Sequence, residues 1–219
     1  MSHVTCGAAS RRGSGRRWPR EAASNWRGKR RADNPYLPTG SVALAMLEQH
    51  GAASVLLVRE REPKREKAAT AVKRPFPVLF PVDGSASIGQ VVERFYGLLH
   101  VPELQPVAVA VAEPPNAGLP VQLGAQERRA LLGRIQAAAR GWARQARPLL
   151  ARPGVRPQIR IVQGPALKAL IDEASREAGR VVVLGSGGAC GPSGPPLGSV
   201  ALQAARYAPC SALLMRDSV

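Results

Sequence analysis

Residues 180–200, RVVVLGSGGACGPSGPPLGSV, constrain the fold more than any other part of the chain. Val181, Val182, Val183 and Leu184 form a continuous apolar run, which suits a strand buried on both faces, as in a parallel sheet. The run ends in Gly185-Ser186-Gly187-Gly188 and passes through a Gly/Pro-rich loop. It then reaches Gly198-Ser199, which opens an apolar-periodic segment from Val200 to Tyr207. The implied layout is strand, glycine loop, helix N-terminus. Glycine lets a ligand approach the backbone closely, and the free N–H groups and dipole of a helix start favour an anion. Ser199 can cap that helix and also donate its hydroxyl to a phosphate. The stretch is not a Walker loop, because no Gly-Lys-Ser/Thr occurs. Nor is it a dinucleotide fingerprint, because Cys190 stands where the third glycine belongs.

From residue 76 onward the pattern alternates. Phe76–Val82 reads as a strand bounded by Pro77 and Pro81, and Asp83-Gly84-Ser85 ends it and starts a helix through about Leu99. That helix carries Ile88, Val91, Val92, Phe95 and Leu98 on one face. Pro106–Ala112 is a second buried strand, and Glu113–Gly124 a Pro/Gly loop. A long helix over Gln126–Leu150 places Leu131, Leu132, Ile135, Ala139, Trp142, Ala146 and Leu149 at helical spacing, a core stripe with solvated arginines opposite. Gln158–Val162 alternates as an edge-side strand, Gly164-Pro165 opens a helix over Ala166–Ala178, and Ala212–Met215 is the last strand. The order βαβαβαβαβ predicts α/β architecture: an open, doubly wound, five-stranded parallel sheet with right-handed crossovers. In the strand order 3-2-1-4-5, the strand before Asp83 and the strand before Gly185 are neighbours, so both line one crevice at the carboxyl edge.

Upstream of residue 76 the organisation changes. Residues 1–39 lack periodicity and read as a disordered basic tail, and residues 60–75 as a charged linker. Between them, GSVALAMLEQHGAASVLLVR at 40–59 repeats the pattern of GSVALQAARYAPCSALLMR at 198–216, helix then strand then Arg. Residues 1–75 hold 16 of the 31 basic residues and 6 of the 15 acidic ones, so most of the net charge of +16 lies in the N-terminal third. Arg predominance and abundant Ala suggest gene composition rather than a nucleic-acid function. The cysteines Cys6, Cys190 and Cys210 are widely spaced and form neither a zinc motif nor a disulfide framework. No apolar run reaches membrane-spanning length. These features point to a cytoplasmic protein with no membrane partner.

Several ordered motifs resemble the universal stress protein family in its ATP-binding branch. They are Val78–Ser85 with its Asp-Gly-Ser, Val162–Ala166, Val182–Gly188 followed by Leu197–Val200 in the pattern Gly-x2-Gly-x9-Gly-Ser, and Ala208-Pro209-Cys210 before the final strand and Arg216. The resemblance covers residues 76–219 and implies the adenine nucleotide alpha hydrolase-like fold. It implies that Gly185, Gly188, Gly198 and Ser199 hold phosphates, that Asp83 contacts the adenosine moiety and that Val111 touches adenine. The implied ligand is ATP, with Mg2+ as its companion ion. Asp83 also suits an Asx cap on the following helix, and the two roles are compatible. This chain departs from the family pattern at Gly187, where Arg or His is common, and at Arg180, where an acid usually stands. The loop 189–197 has three prolines and no Lys or Arg.

The resemblance also implies that residues 40–59 are the end of a truncated first repeat. Family domains pair through their last strands, so Val55–Val58 is expected to pair antiparallel with Ala212–Met215 as an internal pseudo-dimer, or the last strand to mediate self-association. No catalytic residue is evident, since His3, His50 and His100 all lie away from the loop in sequence. The expected role is therefore a nucleotide-binding stress-response protein and not an enzyme. The alternative is a nucleotide-free interaction or dimerisation module. Nucleic acid is not expected as the principal partner.

Overall fold

A computed structural model describes residues 2–6, 26–28, 54–59, 75–99, 103–114, 124–176, 181–185 and 198–216. Its strands are β1 (Ser2–Cys6), β2 (Trp26–Gly28), β3 (Val55–Arg59), β4 (Phe76–Val82), β5 (Leu104–Ala112), β6 (Gln158–Gln163), β7 (Val181–Gly185) and β8 (Ser211–Met215). Its helices are α1 (Ser87–Leu98), α2 (Ala125–Leu150), α3 (Ala166–Arg176) and α4 (Ser199–Tyr207). The sheet order is β2-β1-β3-β8-β7-β4-β5-β6. The ladders β4–β5, β5–β6, β4–β7 and β7–β8 are parallel. Numbered from residue 76, that is the expected order 3-2-1-4-5, with β6 at the edge.

The prolines do not bound β4 as the sequence suggested; Pro77 and Pro81 both lie inside it. Their spacing of four turns both missing N–H groups toward the same neighbour. The ladder to β5 runs from Phe76 to Val82, whereas that to β7 is confined to Val78 and Leu79, between the prolines. Continuous apolar runs are buried on both sides, as parallel strands require. On one face Leu79, Val107, Val109, Val182 and Leu184 meet α3 and α4 through Leu170, Ala174, Ala204 and Ala205. On the other Val78, Phe80, Val82 and Val183 meet α1 and α2 through Val91, Val92, Phe95, Ala139 and Ala143. Phe80 and Phe95 pack edge to face, with centroids 5.2 Å apart.

The α2 stripe is the expected one in part: Ile135 and Trp142 pack part-buried against the core beside the buried alanines. Ala139, Ala143, Ala146 and Leu150 are buried, while Leu149 is exposed. Three of the four are alanine, which lets the helix sit close to β5. Both α1 and α2 run from the carboxyl edge of the sheet to its amino edge. Their far ends are joined where the Tyr96 hydroxyl donates to Leu150 O at 2.7 Å. Because α2 has 26 residues and α1 has 12, α2 is longer by about 20 Å at the helical rise per residue; in its first half, residues 125–138, Ile135 packs part-buried against the core. None of those residues is fully buried among the described residues.

Three antiparallel strands extend the parallel set. β3 pairs with β8 through Val55↔Leu214, Leu56↔Leu213 and Leu57↔Ala212. The two segments read SVLLVR and SALLMR. In that frame Leu56 faces its own counterpart, so the ladder has a local two-fold axis. The flanking hydrogen bonds are counterparts as well: Arg59 N–H donates to Ser211 Oγ at 3.1 Å, and Arg216 N–H to Ser54 Oγ at 3.4 Å. Within the segment expected to be a disordered tail, Ser2–Cys6 forms a strand on β3, and Trp26–Gly28 pairs with it. The backbone groups on the outer side of β3 offer a template that SHVTC, with β-branched Val4 and Thr5, can occupy. The helix expected after Gly40-Ser41 lies outside the described residues.

Candidate nucleotide site

Parallel strands deliver their carboxyl ends to one edge, and the strand order reverses direction between β4 and β7. That switch point leaves a crevice at the edge, because the crossovers on its two sides depart to opposite faces. Asp83 follows the last residue of β4 and is exposed. The β4–β5 register sets Val82 opposite Ala110, which brings Asp83 level with Val111, half-buried near the end of β5. On the other side of β4, Gly185 ends β7 and pairs with Met215 of β8. Gly198 is the N-cap of α4, its carbonyl accepting from Leu202 N–H at 2.9 Å. Ser199 is the first residue of that helix and is exposed.

The fold therefore gathers Asp83, Val111, Gly185, Gly198 and Ser199 at the carboxyl edge. Gly188 and the rest of its loop lie outside the described residues. One local expectation changes: Ser199 does not cap α4. Gly198 takes the cap position in extended backbone, and no side chain caps the helix. The start of α4, with its first-turn N–H groups and the exposed Ser199, lies at this edge, and a helix start of that kind suits phosphate oxygens.

Asp83 has the cap role as well. Its Oδ1 accepts from Ser85 N–H at 2.9 Å, and the Ser85 and Ser87 hydroxyls meet at 2.9 Å where α1 begins. Among the described residues this bond uses one carboxylate oxygen, and the second can accept from a ribose hydroxyl or an amine. The corner depends on Gly84, whose φ is +79°. The Trp142 indole of α2 lies directly against it: a Cβ on Gly84 would collide with indole Nε1 and Cδ1. The sequence had assigned Trp142 to the core stripe. Nothing in its spacing could reveal contact with a loop 58 positions earlier in the chain.

At the opposite, amino edge is an open bowl of about 570 Å³ lined in part by Glu103, Arg152 and Arg156. Arg152 is engaged there, lying 4.3 Å over the Tyr96 ring and donating to Leu149 O and Ala151 O. The bowl holds none of the carboxyl-edge residues. Among the described residues no cluster of His, Cys, Asp or Glu could hold a metal ion. No helix among them is long and apolar enough to cross a membrane.

Fold and edge together define an open, doubly wound α/β domain with a crevice at its switch point. Residues 76–216 match the Universal stress protein family, and the chain belongs to that family. Among solved structures, the universal stress protein UspA from Lactobacillus plantarum is 21% identical. The match spans 65% of this chain and 99% of that one, with a TM-score of 0.56. The hypothetical protein MJ0577 is 15% identical over 65% of this chain and 96% of its own, with a TM-score of 0.53. The hypothetical protein PH0823 is 17% identical over 66% and 97%, with a TM-score of 0.52. At these identities what is shared is the fold. No curated protein matches the sequence.

Proposed function

We propose that this chain is a stress-response protein that binds an adenine nucleotide, ATP in particular, in the crevice between β4 and β7. The observation that carries the reading is the convergence of Asp83, Val111 and Gly185 on three adjacent strand ends with the uncapped start of α4. The family's ATP-binding glycine pattern falls on these same positions. In the proposed pose adenine rests by Val111 and the ribose or base amine donates to Asp83. The phosphates take backbone N–H groups from the Gly185–Gly188 turn and from Gly198-Ser199. With no Lys or Arg in residues 186–199, phosphate charge is met by dipoles, and Mg2+ would ride on the phosphates. The role is one of binding and signalling rather than catalysis.

We also read residues 40–59 as the end of a first repeat docked on the second, supported by the two-fold register of β3 and β8. Calorimetric titration with Mg-ATP, ADP and AMP tests the nucleotide site. Wild type should bind, while Asp83→Ala and Gly188→Val should weaken binding at least tenfold. No binding by wild type up to millimolar concentration would replace this reading with a nucleotide-free interaction module.

A further inference from the structure

We infer that Trp142 is a positioning residue for the nucleotide site, the support that holds Asp83 toward the crevice. The inference rests on the nucleotide reading and extends it to a residue on α2, outside the glycine motif. Three observations meet here. Gly84 occupies the left-handed region, with φ +79°. Gly84 is exposed, but the pyrrole edge of the Trp142 indole, Nε1 and Cδ1, stands where its Cβ would be. Asp83 is exposed, and among the described residues its carboxylate is restrained by the bond from Ser85 N–H within the same turn. A turn that short does not fix its own direction; a neighbouring body has to.

Trp142 is suited to that task. Its helix is anchored one residue later by Ala143 and, beyond that, by Ala146 and Leu150, all essentially fully buried. The ring therefore stands on rigid backbone and lies across the corner where β4 turns into α1. Gly84 admits this approach because it has no side chain. Withdrawing the ring frees the Asp83–Gly84 peptide to rotate. The carboxylate then spreads over several directions, and a ligand must re-order it on binding.

Trp142→Phe keeps an aromatic ring and removes the pyrrole edge; Trp142→Leu removes the ring. Gly84→Ala displaces the indole from the opposite side of the contact. Each is titrated with Mg-ATP and with AMP, alone and combined with Asp83→Ala, and amide exchange at Ser85 is followed without nucleotide. Expected are a tenfold weakening for the Trp142 variants in the wild-type background, no further weakening beside Asp83→Ala, and about tenfold faster exchange at Ser85. Full non-additivity of this kind marks residues acting through one another. Equal weakening in both backgrounds would reduce Trp142 to a packing residue and overturn the inference, as would unchanged affinity in all variants. If Trp142→Leu does not fold, the Phe and Ala variants carry the cycle. Failure of wild type to bind either nucleotide defeats the functional reading itself, and the positioning role falls with it.

Discussion

Replacing Arg59 by Ala removes a tie between the N-terminal strand segment and the helix that opens at the candidate site. The Arg59 guanidinium reaches across 146 positions of sequence, and its Nη2 donates to Ala205 O at 2.8 Å and to Arg206 O at 2.6 Å. These carbonyls belong to the last turn of α4, where a cation complements the dipole. A hydrogen bond involving a charged group contributes roughly 1.5–3 kcal/mol. One nitrogen serves both acceptors and the site is only partly buried, so the pair is worth about 2–3 kcal/mol rather than twice a single bond. At about 2–4 °C per kcal/mol for a chain of this size, Arg59→Ala should lower Tm by about 4–12 °C. Arg59→Lys keeps a positive charge near the helix end without the planar fork and should recover roughly 1 kcal/mol. Differential scanning calorimetry of the three proteins checks the ordering wild type, Lys, Ala. An Ala variant melting within 1 °C of wild type would refute the argument that this guanidinium holds α4 in solution.

Tyr96 gives a pH test. Burial pushes its phenol above the usual value near 10, against a smaller opposing effect of the Arg152 cation. A raised folded-state value means that its stabilising contribution is complete below about pH 10 and is lost as pH rises through the folded-state value. Urea midpoints should therefore fall more steeply between pH 9 and 11 for wild type than for Tyr96→Phe, and equal slopes would contradict this. The ion pairs of α3 should differ in weight. Glu173 is 4% exposed and its carboxylate lies 3.4 Å from Arg160 Nε, with Arg176 farther at 3.9 Å. Arg160→Ala should cost about 1–3 kcal/mol, less than for a fully buried pair because Arg160 is partly exposed and Arg176 remains. Lys168→Ala, which breaks the exposed pair with Asp172, should cost about 0.3–0.5 kcal/mol. Denaturant titrations that reverse this order would show that burial does not set the value of these pairs.

Short apolar runs and period-3.6 patterns made the five parallel strands and four helices legible, and the doubly wound order 3-2-1-4-5 taken for such an alternation is the order seen. The runs VVVL and VAVAVA had few alternatives, because only a strand covered on both faces accommodates them. Boundaries were less readable where polar residues continue an element. Gln105 extends β5 toward the amino edge because its side chain can reach Arg156 O at 2.8 Å, which periodicity does not encode. Pro77 and Pro81 looked like stops because their compatibility with β4 depends on which neighbour each missing donor faces. The placement of Asp83, Val111, Gly185, Gly198 and Ser199 at the carboxyl edge was legible because each lies at or beside the end of an element, while their proposed nucleotide roles came from the family resemblance. The cap of α4 was misassigned by one residue, since Gly198 can adopt the cap geometry as readily as Ser199. Trp142 was not legible as a neighbour of the site, nor Arg59 as a tie to the far end of α4. Both act through contacts between segments far apart in sequence, and a side chain's own spacing carries no record of what another segment brings against it.

The two-fold ladder between β3 and β8 has a consequence for how the molecule behaves on dilution. In an ordinary strand-paired dimer the exposed edge is filled by mass action, and a rare protein leaves it open. Here the matching strand is delivered by the same backbone, through the sixteen residues between Arg59 and Phe76. A short tether of that kind holds its ends at a local concentration on the order of millimolar, whatever the abundance of the protein. A competing strand from a second copy must overcome that local excess before it can pair. The edge is thus occupied at every expression level, and the contact that would otherwise register how many copies are present has become indifferent to their number.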